Sequence, residues 1–309
     1  AVAVVELLRR LVTLPFAVAQ RQHRLDYGLS TQSWAGFGLD VAKGEALWIG
    51  VTGLLLVTVL AVARRWRRSW PAVVAGLLGC FVLLASFVYP LLVEPLFNDF
   101  ESLPDGELRT AVLAVAEAEQ VPLDDVLVVD ASRRTTTLNA YVSGFGSTRR
   151  VVLYDTLVDD LPVDQALSVV AHELAHARHR DVVVGSVLGA TGVAAVVGLL
   201  TLVLVGRQRR RPAPMGPAVV PLLLALFSVG SLLAAPVENG ISRRIETRAD
   251  VDALRVTGDP DAFVAVQRRL AERSLADPTP PALTAWWFGS HPGVLERTGL
   301  ASKAPVRSR

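Results

Sequence analysis

His172-Glu173-Leu174-Ala175-His176 is where residue type and spacing most directly spell out a reaction. Histidines four residues apart lie on one face of a helix, so both imidazoles can reach one metal ion. Neutral imidazole is a good zinc ligand. The glutamate between them can hold and deprotonate a water at that metal, which is the chemistry of metal-dependent peptide hydrolysis. The chain has 5 histidines, His23, His172, His176, His179 and His291, and the middle three crowd into one short stretch.

A catalytic zinc keeps three protein ligands and one open position, so a third ligand must come from elsewhere. Candidates are His179, Glu238, Glu246, Asp250 and His291. His179 shares the face of His172 but sits a further turn along, too far for one ion to take all three imidazoles. It is expected to face water or pair with an acid. Glu246 and Asp250 are four apart and share a helical face. One of them can ligate while the other hydrogen-bonds a ligating histidine.

These residues need elements to hold them, and the composition says where those elements lie. Of 309 residues, 51% are hydrophobic and 19% charged, which excludes a disordered chain. Four stretches carry no charge: Ala46–Ala63, Ser69–Val93, Val182–Gly206 and Pro212–Val237. A helix needs about 20 apolar residues to cross the hydrocarbon core, so these read as four membrane spans. Ala1–Gln20 is apolar but carries Glu6, Arg9 and Arg10, and reads as a partial span or an interfacial helix. Arg64, Arg65, Arg67 and Arg68 join the first two spans, and Arg207, Arg209, Arg210 and Arg211 the last two. Such short basic loops mark the cytoplasmic side, which puts the polar segments 94–181 and 238–309 together on the other side. The net charge of +2 argues against a nucleic-acid partner, and the single Cys80 excludes an internal disulfide. Only Lys43 and Lys303 among 31 basic residues are lysines, which points to a GC-rich prokaryotic genome.

The expected organisation is therefore 1–93, an N-terminal partial helix and two spans; 94–181, a polar α+β segment; 182–237, two spans; and 238–309, a helical segment and tail. In 94–181 a helix is expected over Gly106–Gln120, a strand over Val126–Val129, and a hairpin of Asn139–Phe145 with Arg150–Tyr154. Pro162 opens a helix that carries the histidines and runs on into the third span. Two more helices are expected over Ile241–Val256 and Pro260–Leu275, with Pro278, Pro280 and Pro281 ending the second. The fold class is mainly α, a polytopic helical bundle with a small zincin-like α+β portion.

The sequence resembles the CAAX prenyl protease type I family of integral-membrane zinc metalloproteases and, more distantly, the HtpX-type membrane proteases. The blocks that carry the likeness run in family order over nearly the whole chain. They are Gly28-Leu29-Ser30-Thr31-Gln32, Glu94-Pro95-Leu96-Phe97-Asn98, Asn139-Ala140-Tyr141, Arg150 to Leu157, the histidine helix, Ser242 to Asp250, Leu275 to Pro278, Ser290-His291-Pro292 and Glu296-Arg297. The resemblance implies that His172, His176 and Glu246 ligate one Zn2+ per chain, that Glu173 is the general base, and that Asp250 orients a ligating histidine. It also implies that Asn139 and Tyr141 lie where substrate binds, and that His291 and Arg297 contact substrate or the developing oxyanion. It implies a chamber enclosed by seven spans, of which four are clear here, and a zinc site facing the cytosol, on the opposite side from the one the arginine loops indicate.

The expected protein is a multi-pass membrane zinc endopeptidase whose partners are a peptide or protein substrate, hydrophobic or CaaX-like, and the lipid bilayer. A catalytically silent scaffold or chaperone keeping the fold is the alternative, and the intact Glu173 argues against it. A transporter would distribute its polar residues among several spans, whereas these spans carry no charge and the polar cluster sits at their ends.

Overall fold

A computed structural model describes residues 2–66, 68–210 and 219–302. The N-terminal helices are α1 (Val2–Asp26), α2 (Trp34–Arg65) and α3 (Trp70–Val88), the last running through a π-helical turn at Tyr89–Val93 into α4 (Glu94–Phe97). Next come β1 (Phe100–Ser102), α5 (Glu107–Ala118), β2 (Asp125–Val129), β3 (Ala140–Ser143), β4 (Arg150–Tyr154), α6 (Asp155–Asp160) and α7 (Val163–His179). The chain continues with α8 (Asp181–Arg210), α9 (Val219–Thr257), α10 (Pro260–Ser274), α11 (Ala282–Phe288) and α12 (Val294–Ala301).

Among the described residues, four helices are long and apolar enough to cross a membrane: Trp34–Arg65, Trp70–Phe97, Asp181–Arg207 and Leu224–Thr257. Their large apolar side chains point outward, with Leu54, Leu84, Leu202 and Leu233 more than half exposed. That is the surface a bilayer covers. The helices α3 and α8 pack antiparallel through small residues. Gly79 lies against Ala190, Gly189 against Val82, and the hydroxyls of Ser86 and Ser186 are 2.8 Å apart. With no hydrophobic drive between helices in lipid, close backbone approach and such hydrogen bonds hold the pair. Arg64 and Arg65 at the end of α2, Arg68 just before α3, and Arg207, Arg209 and Arg210 at the end of α8 lie at the far end of the α3–α8 pair from the histidines, about 45 Å away along α8 at 1.5 Å per residue. Arg67, Arg211 and the tail beyond Ser302 fall outside the described residues.

The sheet has the order β1-β2-β4-β3, with β2 and β4 parallel and both outer strands antiparallel. Alternation sorts its side chains to two faces. Val126, Val151 and Leu153 join the main core with Val112, Leu157, Val170, Leu174 and Val266, while Leu127, Val129 and Val152 form a second cluster behind. Among the described residues the edge strand β3 pairs only with β4, Ala140 opposite Leu153 and Ser143 opposite Arg150. Gly144 closes this hairpin at φ +84°, where a Cβ would sit 2.2 Å from the Thr148 carbonyl oxygen, so only glycine serves.

Two helix readings are corrected. The histidine helix does not continue into the third span. It ends at Arg180, which takes a left-handed conformation (φ 58°, ψ 38°), and α8 restarts at Asp181. No glycine or proline marks this break, so periodicity alone runs through it. Conversely, Ile241–Val256 is no separate helix but the end of the 39-residue α9. Pro236 lies inside α9 without ending it, as membrane helices tolerate. The strand β1 has no counterpart in the sequence reading, because three residues are too few to show alternation.

Two sequence blocks prove to be fasteners. Residues 28–32 lie along residues 132–136, with Ser30 Oγ donating to the Arg134 carbonyl (2.9 Å), Thr136 Oγ1 to the Gly28 carbonyl (2.7 Å) and Thr135 Oγ1 to the Leu29 carbonyl (3.2 Å). Arg134 forks onto Asp40 of α2 (2.7 and 3.0 Å) and reaches Asn98 Oδ1 (3.0 Å) and the Phe97 carbonyl. One guanidinium thus ties the α+β portion to two membrane helices. Arg134→Ala is expected to lower stability by about 2 kcal/mol, the worth of a charge-assisted network of this kind, read as a lower melting temperature in detergent. Arg134→Lys should recover only part, because an ammonium lacks the planar fork.

Candidate metal centre

The helix α7 buries Ala166, Val170, Ala171, Leu174 and Ala175 in the core, which turns the opposite, histidine-bearing edge toward α9. The rings of His172 and His176 stand nearly perpendicular with centroids 4.7 Å apart, and their Nε2 atoms are 3.1 Å apart. From α9, Glu246 brings Oε2 to 3.4 Å from His172 Nε2 and Oε1 to 3.5 Å from His176 Nε2. Among the described residues these three form a cluster able to hold a metal ion. Tetrahedral zinc with ligands at about 2.0–2.1 Å separates them by about 3.3 Å. The 3.1 Å between the two imidazole nitrogens is close to that edge length, and Glu246 turns one carboxylate oxygen to each histidine at 3.4 and 3.5 Å.

The surroundings also select for a cation. Burial opposes a charge on His172, yet the hydrogen bonds to Asp250 and Glu246 and the nearby Glu173 raise its pKa to about 9. A proton and a metal ion compete for the same lone pair, so this field favours either. Burial pushes the Glu173 carboxyl above its ordinary range, against the pull of His172 and His176. That moves it toward the range useful to a base at neutral pH.

Each histidine is held from behind. His172 Nδ1 lies 2.8 Å from Asp250 Oδ1, and Asp250 is fully buried. Arg297 of α12 donates through Nε to Asp250 Oδ2 (2.8 Å) and through Nη2 to Oδ1. His176 Nδ1 lies 2.9 Å from Asp181 Oδ2. His179 lies apart from this cluster, its Nε2 2.7 Å from Asp252 Oδ2. His291 Nε2 stands 3.5 Å from Glu246 Oε2, and its Nδ1 lies 2.9 Å from Ser290 Oγ. Its loop is held to α9 by Arg243, which donates to the Gly289 carbonyl (2.5 Å), and by Asn239, which donates to the Trp287 carbonyl (2.6 Å).

Two cavities meet at the cluster. One of about 380 Å³ is lined by Asn139, His172, Glu173, Glu246, His291 and Arg297. The other, about 610 Å³, is lined by Glu173, His176 and Glu246 on one side and by Phe87, Pro90, Leu91, Val182 and Val183 from the membrane helices on the other. The edge strand β3 borders both, the first at Asn139-Ala140 and the second from Tyr141 to Phe145. Asn139 is exposed at the start of this edge. Tyr141 lines the larger cavity, while its hydroxyl donates to Glu94 Oε2 (3.2 Å).

With this geometry in place, comparison with known proteins is decisive. The profile of peptidase family M48 matches residues 102–303. The chain belongs to peptidase family M48. A second profile, the CAAX prenyl protease N-terminal region of five membrane helices, matches residues 1–99. The chain is thus a membrane metalloprotease of the M48 and CAAX prenyl protease kind, a class that hydrolyses peptide bonds with a metal, generally zinc. An uncharacterized metalloprotease, YhfN of Bacillus subtilis, is 32% identical over 98% of this chain and 72% of its own length. The CAAX prenyl protease 1 homolog of Arabidopsis thaliana is 28% identical over 88% of this chain, which spans 65% of that protein. The crystal structure of S. mikatae Ste24p superposes with a TM-score of 0.85 at 23% identity, covering 96% of this chain and 73% of that one. That likeness bears out the fold class, a helical membrane bundle with a small sheet.

Two residues beside this cluster carry no role in the sequence reading. Asp181 is hidden by a helical periodicity that runs through the break at Arg180. Five residues along an unbroken helix it would lie about 140° around from His176, facing away. Arg243 had no signal beyond its place in the Ser242 to Asp250 block. The geometry predicts that Glu246→Ala drops bound zinc well below one per chain after dialysis, measured by atomic absorption, whereas His179→Ala leaves it unchanged. The reverse pattern would move the third ligand to His179.

Proposed function

We propose that the protein is a zinc-dependent endopeptidase that cleaves apolar, CaaX-like peptides reaching the site along the membrane. The observation that carries this is the His172, His176 and Glu246 cluster opening onto a cleft whose larger half is walled by membrane helices. In this reading the two histidines through Nε2 and Glu246 hold the ion. Bound there, zinc supplies a Lewis acid that lowers the pKa of water and polarises the scissile carbonyl.

The remaining steps belong to the chain. Glu173 accepts the proton of the attacking water and passes it to the leaving amine. Its partial burial, with a raised pKa, suits both the taking and the giving. His291, at the cavity wall with Nε2 turned to Glu246, is the donor assigned to the developing oxyanion. Arg297 spends Nε and Nη2 on Asp250, which supports a role in orienting His172 through Asp250. The free side of β3 supports β-augmentation, in which an extended substrate adds a strand from Asn139 to Val142 and is read through its backbone. Asn139 stands exposed at the start of this edge. Tyr141 is assigned to the wall of the apolar half, where substrate side chains lie. The names of relatives called CAAX prenyl protease 1 add the expectation of a cut near a lipid-modified or apolar C-terminus.

Glu173→Gln is expected to keep one zinc per chain and lose peptide cleavage by at least about 100-fold, the lower range for a general base. Zinc content and cleavage of a fluorogenic apolar peptide, both on detergent-purified full chain, check this. Loss of zinc in the variant would contradict the role given to Glu173, and undiminished cleavage would remove it.

A further inference from the structure

The two histidines are supported by matching relays, and one of them has no role yet. Behind His172 stand Asp250 and then Arg297. Behind His176 stand Asp181 and then Arg248 of α9, whose Nη2 donates to Asp181 Oδ1 at 2.5 Å. The side chains of Asp181 and Glu246 are equally sheltered, each 13% exposed. A carboxylate only accepts hydrogen bonds, so at 2.9 Å it requires the proton of His176 to sit on Nδ1. That leaves the Nε2 lone pair facing Glu246 and the cleft, as metal ligation needs.

The backbone is shaped to deliver this contact. Arg180 adopts φ 58°, a conformation that L-residues other than Asn and Asp seldom take. The turn it makes brings the first residue of α8 back over His176. Asp181 also sits in the first turn of α8, where the helix dipole favours a negative charge.

We propose that Asp181, backed by Arg248, is a positioning residue that fixes the tautomer and orientation of His176, so that the first turn of a membrane span is part of the metal centre. The inference rests on reading His172, His176 and Glu246 as metal ligands. It makes the seating of α8 against α7 a determinant of metal binding.

The test is zinc affinity by chelator competition on the full chain in detergent, with the Co2+ d–d absorption spectrum as a geometric readout. Asp181→Ala is expected to weaken zinc binding about 10- to 100-fold, the range for lost outer-shell partners, and to alter the cobalt spectrum. Asp181→Asn keeps an oxygen acceptor of the same shape and should recover part of both. Arg248→Gln, changed at a more exposed position, should give a smaller loss in the same direction, and serves if Asp181→Ala does not fold. Zinc affinity within about twofold of wild type and an unchanged cobalt spectrum in the Asp181 variants would overturn the proposal while leaving the metal reading intact. A wild type that binds no zinc would overturn both.

Discussion

Three donor atoms from two helices must arrive within 4.8 Å of one another, and they carry charge and lone pairs that do not gather unaided. Two imidazoles and a carboxylate can share so small a space only if the scaffold holds them there and a cation is welcome. The core beneath α7 provides the first condition. Ala171, Leu174 and Ala175 are fully buried, and Ala253 of α9 joins the same core. The two helices are therefore fixed against one another by apolar packing on one side, and the imidazoles and the Glu246 carboxylate face each other on another.

The same packing places further charge nearby and neutralises it. Glu119, almost fully buried at the end of α5, takes Arg178 of α7 (2.8 Å) and Arg255 of α9 (3.3 Å). His179 and Asp252 bridge the same two helices. Removing one member of such a set leaves a sheltered charge unpaired, so the groups act together. These contacts surround the metal cluster without entering it, and they set the separation between α7 and α9.

Membrane and catalytic portions share elements rather than meeting at a linker. The end of α3 and the start of α8 wall the larger cavity, α9 runs from the apolar region to Glu246 and beyond, and Arg134 clamps the α+β portion to α2. A cleft made this way is apolar on the side where the spans enter and polar where Asn139, His291 and Arg297 line it. Function and membrane insertion are therefore one design: the spans are walls of the site as well as anchors.

The sequence by itself determined the parts whose signal is local. The spacing of His172 and His176 on one helix, the four apolar runs, the β3–β4 hairpin and the pairing of Glu246 with Asp250 all rest on periodicity within a single element. For His179 it left water or an acid as the partner, and the fold supplies Asp252. Only the tertiary structure decided which acid stands behind which histidine, because Asp181 depends on a left-handed Arg180 that no glycine announces. The continuity of α9 was likewise decided by its surroundings, since nothing local distinguishes a Pro236 that ends a helix from one a long helix absorbs. So too the roles of Arg134, Arg243 and Arg297: a long, flexible cation can pair with any carboxylate or carbonyl the fold brings near, and that choice is made by packing across 46 to 94 residues of chain.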